Sequence, residues 1–285
     1  MTDSEHPEAS PSPEPARGLR LLGGLVRMHP FRTLGLVLAL AVVLEAATIP
    51  WLSVPQLALT NPAETALMRQ RLREAEAEGK PLKIVRKWVP LDRIPGQLVD
   101  AVVVAEDGTF YSHGGFDWYE MRESMNRNVK EGRIARGAST ITQQLAKNLY
   151  LSTSRDPVRK LKEAVITMLL ERSLSKRRII ELYLNVIEWG RGIFGAEAAA
   201  QAYFHKSCVQ LDPDECARLA AVIPSPIRHR PDDDSRYVMR RTAMVQRRLA
   251  SRARGVSIQS TEEDSSDSPD TVDVTATDST DTGTE

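Results

Sequence analysis

The sequence lacks the side-chain groupings that commonly build metal centres, nucleotide sites and acyl-enzyme sites. It has two cysteines in 285 residues, and no His, Cys or carboxylate cluster has the spacing of a zinc site. A glycine-rich phosphate loop is absent, which excludes binding of ATP or a nucleotide sugar by such a loop. The K-T-G element of penicillin-binding acyl enzymes is also missing, so we interpret S-x-x-K at Ser173 and S-x-N at Ser124 as chance matches.

The two cysteines, Cys208 and Cys216, are eight positions apart. In an oxidising compartment they could form a disulfide across a short loop. The alternative is a pair of small apolar core residues, and the sequence leaves both interpretations open.

Charge is distributed unevenly along the chain. Lys plus Arg and Asp plus Glu each number 38, so the formal net charge is zero. Nine of the acids lie between Glu262 and Glu285, which leaves 38 basic and 29 acidic residues, a net charge of +9, on residues 1–260. A basic body favours nucleic acid, an anionic membrane or a phosphorylated substrate, and charge alone does not choose among them.

One apolar run approaches the length of a membrane span. The 18 residues from Leu34 to Trp51 contain one charged side chain, Glu45, and roughly 20 apolar residues cross a bilayer. Arginines precede the run, which by the positive-inside rule predicts a cytoplasmic N-terminus. We therefore predict a cytoplasmic leader over 1–32, a single transmembrane helix over 33–55 and a periplasmic body, with a cleaved signal peptide as the alternative.

The rest of the chain divides into a folded core and polar flanks. We predict a membrane-proximal spacer over residues 56–83. Residues 84–250 are predicted to form a mainly α domain, because the long periodic stretches in this range have helical spacing. Residues 251–285 form a Ser/Thr-rich acidic tail that we expect to be disordered, like the start of the leader.

Capping signals place several helices in the core. Asp156 and Pro157 start one, with apolar residues at core spacing that are Val158, Leu161, Val165, Met168 and Leu169. Further helices are predicted over Ser175–Trp189, closed by Gly190, over Gly195–Phe204, and from Asp212 to Pro224.

Two glutamates stand in opposed environments. Glu106 follows the apolar run 101–105, so desolvation should raise the pKa of its carboxyl toward that of a general base working near neutrality. Glu163 has Arg159 four positions and Lys160 three positions before it, which should keep it ionised. Opposed environments predict distinct roles, although a surface salt bridge is the alternative for Glu163.

A polar helix between the two glutamates could receive an anion. Thr140 and Gln143 fit a capping box, which puts Gln143, Gln144 and Lys147 on adjacent faces of the helix. Arg155 and Arg159 add guanidinium groups suited to phosphate. The alternative is a generic polar helix without a binding role.

His113 lies beside Gly114 and Gly115, a setting that favours a structural histidine in a turn.

Five motifs, in order, carry a family resemblance. They are Glu106-Asp107-x-x-Phe110-x-x-His113-x-Gly115-x-Asp117, then Gly137-Ala138-Ser139-Thr140-Ile141-Thr142-Gln143-Gln144-x-x-Lys147-Asn148, Arg159-Lys160-x-x-Glu163, Ile180-Glu181-x-Tyr183-Leu184-Asn185-x-x-x-x-Gly190 and Gly195-x-Glu197-x-Ala199-Ala200-x-x-Tyr203-Phe204. Over roughly residues 84–230 the chain resembles the glycosyltransferase family 51 domain, most closely the monofunctional biosynthetic peptidoglycan transglycosylases. Ala138 replaces a glycine common in the second motif.

The resemblance implies a lysozyme-like fold at the outer face of the cytoplasmic membrane. Its expected activity is polymerisation of lipid II into β-1,4-linked glycan strands with release of undecaprenyl pyrophosphate, and no transpeptidase activity. The implied partners are lipid II, the growing strand, the membrane and cell-wall or division proteins, without nucleic acid. No cofactor is required, although Mg²⁺ could assist. The competing functions are a lysozyme-like glycan-cleaving enzyme and an inactive membrane-anchored scaffold.

The resemblance also assigns roles to residues. Glu106 would deprotonate the acceptor 4-hydroxyl, and Glu163 would position cationic groups or a divalent ion. The donor and its pyrophosphate would contact Ser139, Thr140, Gln143, Gln144, Lys147, Asn148, Arg155, Arg159 and Lys160. Supporting roles fall to Asp107, Phe110, His113 and Asn185, and no metal ligand is certain. Trp118–Met121 and residues 128–136 would form a lobe touching the membrane.

Overall fold

The structure is a computed structural model that describes residues 30–131, 139–154 and 156–255, with the backbone alone for residues 30 and 127–131. The predictions for the leader before residue 30, the tail after residue 255, Arg155 and most of the second part of the lobe lie outside the described residues. Gly137 and Ala138 of the second motif also lie outside them.

The described chain is mainly helical, as predicted. Its helices are α1 Pro30–Ala47, α2 Ser53–Gln56, α3 Ala66–Ala77, α4 Gly96–Glu106, α5 Trp118–Glu131, α6 Ile141–Tyr150, α7 Pro157–Ser173, α8 Lys176–Val186, α9 Ala196–Phe204, α10 Pro213–Val222 and α11 Arg236–Ala253. Its strands are β1 Val85–Arg86, β2 Glu188–Gly190 and β3 Ile193–Phe194, and short 3-10 turns occupy Leu91–Arg93 and Cys208–Gln210.

The three short strands form one sheet in the order β1-β3-β2. β1 runs parallel to β3, with Val85 opposite Ile193, and β2 runs antiparallel to β3 with an irregular register between Glu188 and Gly190. The sheet is too small to form a layer, so helix packing supplies most of the core.

One hydrophobic core joins the helices that matter for the site. α4 packs against α10 and α11, while α6 packs against α7 and α8. On α4, Leu98 and the run Ala101–Val104 are buried, and on α6 Ile141 and Leu145 are fully buried. Trp189 is also fully buried, and its indole Nε1 donates to the carbonyl of Leu219 at 3.0 Å. This packing fixes the C-terminal end of α4 and the exposed face of α6.

The helix predicted over Ser175–Trp189 ends earlier than predicted. α8 stops at Val186, and Ile187 is extended, with ψ 151°. The next three residues pair with β3 instead, and the amide of Gly195 donates to the carbonyl of Ile187 at 3.0 Å. Pairing with a strand that follows in sequence therefore overrides the helical pattern.

The core face predicted for α7 was wrong at three of its five apolar positions, whereas Leu169 packs partly buried against the core. Val158, Leu161 and Met168 are 45%, 68% and 53% exposed. The buried positions are Ile166 and Leu170 together with the polar residues Glu163 and Thr167. The reason is that α7 turns its Glu163 side inward and leaves part of its apolar surface exposed.

The stretch before the core domain also packs on it. Thr65 caps α3 by accepting from the amide of Met68 at 3.1 Å, and Met68 is buried with Leu67 against Phe194. The guanidinium Nε of Arg71 donates to Glu188 at 2.8 Å. This helix therefore contacts the sheet through both apolar and ionic groups.

The N-terminal helix α1 carries large apolar side chains that remain exposed, including Leu36 at 66% and Leu44 at 60%. Glu45, near its C-terminal end, forms an ion pair with Lys162 of α7. Judged by length and apolarity together, none of the helices in the described ranges is sufficient to span a bilayer.

Both cysteines are free and buried, which confirms the core interpretation. Burial raises the pKa of Cys208 and of Cys216 to about 12.

Candidate active site

Glu106 is the last residue of α4, and its carboxylate emerges where the buried valines of that helix end. The side chain is half-buried, and its Oε2 accepts a hydrogen bond of 2.8 Å from Nε2 of Gln144. Burial raises the pKa of Glu106, while the Gln144 hydrogen bond and the charges of Arg241, Lys147 and Arg248 oppose that rise. A carboxylate in this environment is suited to accept a proton near neutrality.

Asp107 ties the end of α4 to the start of α6. Its Oδ2 accepts from the backbone amide of Ile141 at 2.9 Å, and its Oδ1 lies 2.8 Å from Nε2 of His113. The amide of Gly115 donates to Nδ1 of His113 at 3.1 Å, so in the neutral ring the proton is on Nε2 and points at Asp107. Burial raises the pKa of Asp107, and the His113 hydrogen bond opposes that effect. These contacts are consistent with the prediction that His113 is a structural residue of the turn.

The start of α6 is fixed by the predicted capping box. The Thr140 hydroxyl accepts from the amide of Gln143 at 3.2 Å, and the Gln143 side chain accepts from the amide of Thr140 at 3.0 Å. The Thr140 hydroxyl also donates to the carbonyl of Gly115 at 2.8 Å. The first two motifs are therefore joined at two points, through Asp107 and through Thr140.

A polar cavity of about 110 Å³ lies beside Gln144. It is lined by Ser139, Gln143, Gln144, Lys147, Arg159, Lys160 and Glu163. The sequence placed all seven among the candidate site residues, and the structure brings them together from the loop before α6, α6 itself and α7. Two other described candidates for the donor site lie outside this lining: Thr140 is buried in the cap, and Asn148 is buried on α6.

Cations dominate the cavity. Glu163 is 3% exposed and accepts from Nη1 of Arg159 at 2.7 Å and from Nζ of Lys160. Burial lowers the pKa of Lys147, Glu163 raises it and the charges of Arg159 and Lys160 lower it further. The Nε of Arg159 is buried and has no hydrogen-bond partner among the described residues. Three cations facing one carboxylate form a receptor for an anion.

Two residues predicted as supports, Phe110 and Asn185, make contacts between separate elements. Phe110 is fully buried, with the Lys176 ammonium 4.4 Å from the centre of its ring. The Asn185 side chain accepts from the amide of Val89 and donates to its carbonyl, both at 2.9 Å, and it also donates to the carbonyl of Glu181 at 2.8 Å. These contacts join the chain before α4 to α8.

Three residues near Glu106 were missed by sequence reasoning. The hydroxyl of Tyr183 donates to Oε1 of Gln144 at 2.8 Å, and this residue was quoted in a motif without a role. Arg241 and Arg248 act on Glu106 from α11, about 140 positions later in the chain. No local pattern in the sequence connects these arginines with Glu106.

The described residues contain no cluster of metal-ligating side chains. Across the described ranges, no group of three or more His, Cys, Asp or Glu side chains is placed to hold a metal ion. Glu163, the carboxylate that lines the cavity, is paired with Arg159 and Lys160.

Comparison with known proteins gives a consistent family assignment. The model of the family described as Transglycosylase matches residues 75–250. A biosynthetic peptidoglycan transglycosylase of Thiobacillus denitrificans is 48% identical over 191 residues, which cover 67% of this chain and 82% of the relative. The protein of the same name from Dechloromonas aromatica is 40% identical over 231 residues, or 81% of this chain and 97% of the relative. Another, from Aromatoleum aromaticum, is 50% identical over 169 residues, or 59% and 74%.

The matched residues include Glu106, the cavity and the helices that position them. With the family match covering more than half of the sequence, the chain belongs to the transglycosylase family.

Proposed function

We infer that the protein is a peptidoglycan glycosyltransferase of cell wall synthesis, which polymerises lipid II into β-1,4-linked glycan strands. One observation carries this conclusion. The half-buried carboxylate of Glu106 is separated by a single amide, that of Gln144, from a cavity lined by three cations. A base beside an anion receptor is what transfer from a pyrophosphate donor requires.

In the proposed reaction the pyrophosphate of the lipid-linked donor occupies the cavity. The 4-hydroxyl oxygen of the acceptor forms a bond to C1 of the donor sugar as the bond from C1 to the pyrophosphate oxygen breaks, with inversion at C1. The hydroxyl proton passes to the carboxylate of Glu106, and undecaprenyl pyrophosphate leaves. Each step lengthens the strand by the whole saccharide of one lipid II, joined through a new β-1,4 linkage.

The cations act mainly in the transition state. Negative charge accumulates on the departing pyrophosphate, so fixed positive groups stabilise the transition state more than the bound substrate. Lys147, Arg159 and Lys160 supply that charge. Glu163 holds two of these cations in place through its paired carboxylate. Arg155, predicted from the sequence as a further cation, remains a prediction.

Hydroxyl and amide groups complete the donor site. Ser139, Gln143 and Gln144 line the same cavity and can donate to phosphate or sugar oxygens. Thr140, which the resemblance also assigns to the donor, acts in this proposal by capping α6. A donor contact of Asn148, which is buried, remains a prediction. Asp107, Phe110, His113 and Asn185 act as supports through the contacts described above.

We further propose that residues 33–55 anchor the protein in the cytoplasmic membrane, with the N-terminus inside and residues 84–250 as a periplasmic glycosyltransferase domain. Residues 56–83 would be the membrane-proximal segment. Apolar side chains are exposed on every side of α1, a pattern typical of a helix surrounded by lipid. Trp118 and Tyr119, exposed at 70% and 62%, support a lobe that touches the membrane.

Fractionation tests the anchor. The full chain should stay with membranes after washing at high pH, whereas a chain that begins at residue 56 should be released. Recovery of the full chain in the soluble fraction would contradict the anchor without affecting the assignment of the site.

The proposed reaction is tested by incubating the purified protein with labelled lipid II and separating polymer from monomer. We expect polymer, and no release of soluble sugar from purified cell wall. Sugar released from cell wall without lipid II would instead support glycan cleavage. Absence of both activities in the intact full-length chain would favour the scaffold function.

A further inference from the structure

Three buried or half-buried side chains from three helices form a continuous hydrogen-bonded chain. The hydroxyl of Tyr183 on α8 donates to Oε1 of Gln144 on α6 at 2.8 Å. The Nε2 of the same amide donates to Oε2 of Glu106 on α4 at 2.8 Å. Tyr183 is fully buried.

The amide of Gln144 has two ends of opposite hydrogen-bonding character. With Oε1 toward Tyr183, its NH₂ group faces Glu106 as a donor. A flipped amide would place Oε1 against an ionised carboxylate oxygen, and two acceptors at that distance repel each other. The other restraint on the amide is weak, because Nε2 lies 3.5 Å from the carbonyl of Ser139.

We propose that Tyr183 is a positioning residue that fixes the amide of Gln144 in the orientation that donates to the carboxylate of Glu106. The inference rests on the proposed function, in which Glu106 is the base. Tyr183 touches neither substrate nor reacting atoms in this scheme, and acts only through Gln144.

The hydroxyl of Tyr183 is suited to this positioning role because it remains a hydrogen-bond donor. Burial raises its pKa well above 10, so its hydroxyl keeps its proton at neutral pH and remains a donor. Burial raises the pKa of Glu106, and the hydrogen bond donated by the Gln144 amide opposes this rise by favouring the ionised carboxylate. Loss of the Tyr183 hydroxyl should therefore make the active, ionised form of the base harder to reach as the pH falls.

Removal of the Tyr183 hydroxyl leaves the other charged groups around Glu106 unchanged. Among the described residues, these charges are Lys147 on α6 and Arg241 and Arg248 on α11. The helix α10 also packs on α4, and its Ala217 and Ala220 are fully buried. Asp107 follows Glu106 directly and is held by Ile141 and His113. A change in the acid limb of the pH profile after removal of the hydroxyl therefore reports on the Gln144 amide.

The test is the pH dependence of kcat/KM for lipid II polymerisation by full-length Tyr183→Phe. We expect the rate on the acid limb to fall about 2- to 10-fold, the effect of one neutral hydrogen bond, and the loss to narrow as the pH rises. Tyr203→Phe is the matched control, since its hydroxyl is also buried and donates to the carbonyl of Trp189 at 2.9 Å. A Tyr183→Phe profile that matches the wild type, or that falls equally at every pH, would overturn the proposal.

A second variant separates positioning from a general loss of packing. In a Gln144→Ala background, Tyr183→Phe should cause no further change in the acid limb, because the group through which it acts is gone. Additive losses would show that Tyr183 acts independently of Gln144, against the proposal.

A direct titration keeps the inference separate from the proposed function. The ¹³C signal of the Glu106 carboxyl, assigned by its disappearance in Glu106→Gln, can be followed with pH in the full-length protein whether or not it polymerises lipid II. A higher pKa of Glu106 in Tyr183→Phe supports the positioning role even if the polymerase assay fails. An unchanged pKa rejects that role even if the assay succeeds.

Discussion

Glu106 and Gln144 are 38 positions apart, on different helices, and are joined by one hydrogen bond of 2.8 Å. The contact places the proposed base at the edge of the helix that carries Lys147, so the proton acceptor and the anion receptor share one rigid support. Asp107 holds the same two helices together through the amide of Ile141. A base placed by packed helices is pre-organised before substrate arrives.

Lys147 should be required for use of the donor. Lys147→Ala is expected to lower kcat/KM for lipid II by about 10- to 100-fold, the usual effect of a hydrogen bond to a charged group. Initial rates of polymer formation measure it, and inorganic pyrophosphate should inhibit the variant less strongly than the wild type. Lys80→Ala is the control, because the Lys80 side chain is 73% exposed and follows α3 in the chain, outside the cavity lining. Unchanged kinetics for Lys147→Ala would remove this residue from the site.

Glu163 should stabilise the empty site by compensating its cations. Glu163→Gln leaves Arg159 and Lys160 near Lys147 without their carboxylate, and should lower the free energy of unfolding by about 1–3 kcal/mol. Added pyrophosphate should narrow the gap in Tm between variant and wild type, since it supplies negative charge to the folded state. Glu76→Gln, at an exposed position, serves as the control. A Tm gap that pyrophosphate does not alter would contradict this role.

Gly115 should not tolerate a side chain. Its φ is +93°, and a Cβ would lie 2.8 Å from Cγ2 of Thr167 and 2.9 Å from Cγ of Glu171. Gly115→Ala is therefore expected to cost at least about 1 kcal/mol of folding free energy, measured by denaturant unfolding. The neighbouring Gly114 has open space where its Cβ would lie, so Gly114→Ala should change stability by less than about 0.5 kcal/mol. If the two variants were equally stable, Thr167 and Glu171 of α7 would have to move readily to make room for a side chain at position 115, against this prediction.

The helix caps were predicted correctly because they depend on interactions between residues that are close together in the sequence. The capping box of Thr140 and Gln143 and the cap of Asp156 on α7 each depend on groups within three positions. The same holds for Asp212, which caps α10 by accepting from the amide of Glu215 at 2.9 Å. Because both partners of each cap are neighbours in the sequence, the sequence pattern alone is sufficient to predict it.

The errors arose where a distant element decides the outcome. The end of α8 depends on β3, with which the residues after Ile187 pair. The inward face of α7 depends on α6, toward which Glu163 points, so apolar spacing alone selected Leu161 and Met168 incorrectly. Arg241 and Arg248 reach Glu106 only because α11 packs across α4.

The cavity residues could be identified from the sequence because they lie on two helices and the loop before the first of them. Lys147 and Glu163 belong to motifs that the resemblance supplied. Tyr183 also lies in a motif, but its link to Gln144 depends on how α8 crosses α6, which no spacing in the sequence reveals.

The central claim is that Glu106 is the base that transfers sugar from a pyrophosphate donor. Burial raises the pKa of Glu106 above its ordinary value of 4.5, so the active, ionised form is present at neutral pH and above and is lost as the pH falls through the raised value. Polymerisation by the wild type should therefore show an acid limb.

The most direct measurement compares polymerisation of labelled lipid II by the full-length wild type and by Glu106→Gln, at matched folded concentration and over a range of pH. We predict polymer from the wild type with an acid limb, and about 10²- to 10⁴-fold less from the variant, with no acid limb of its own. Near-normal strand synthesis by Glu106→Gln would contradict the account.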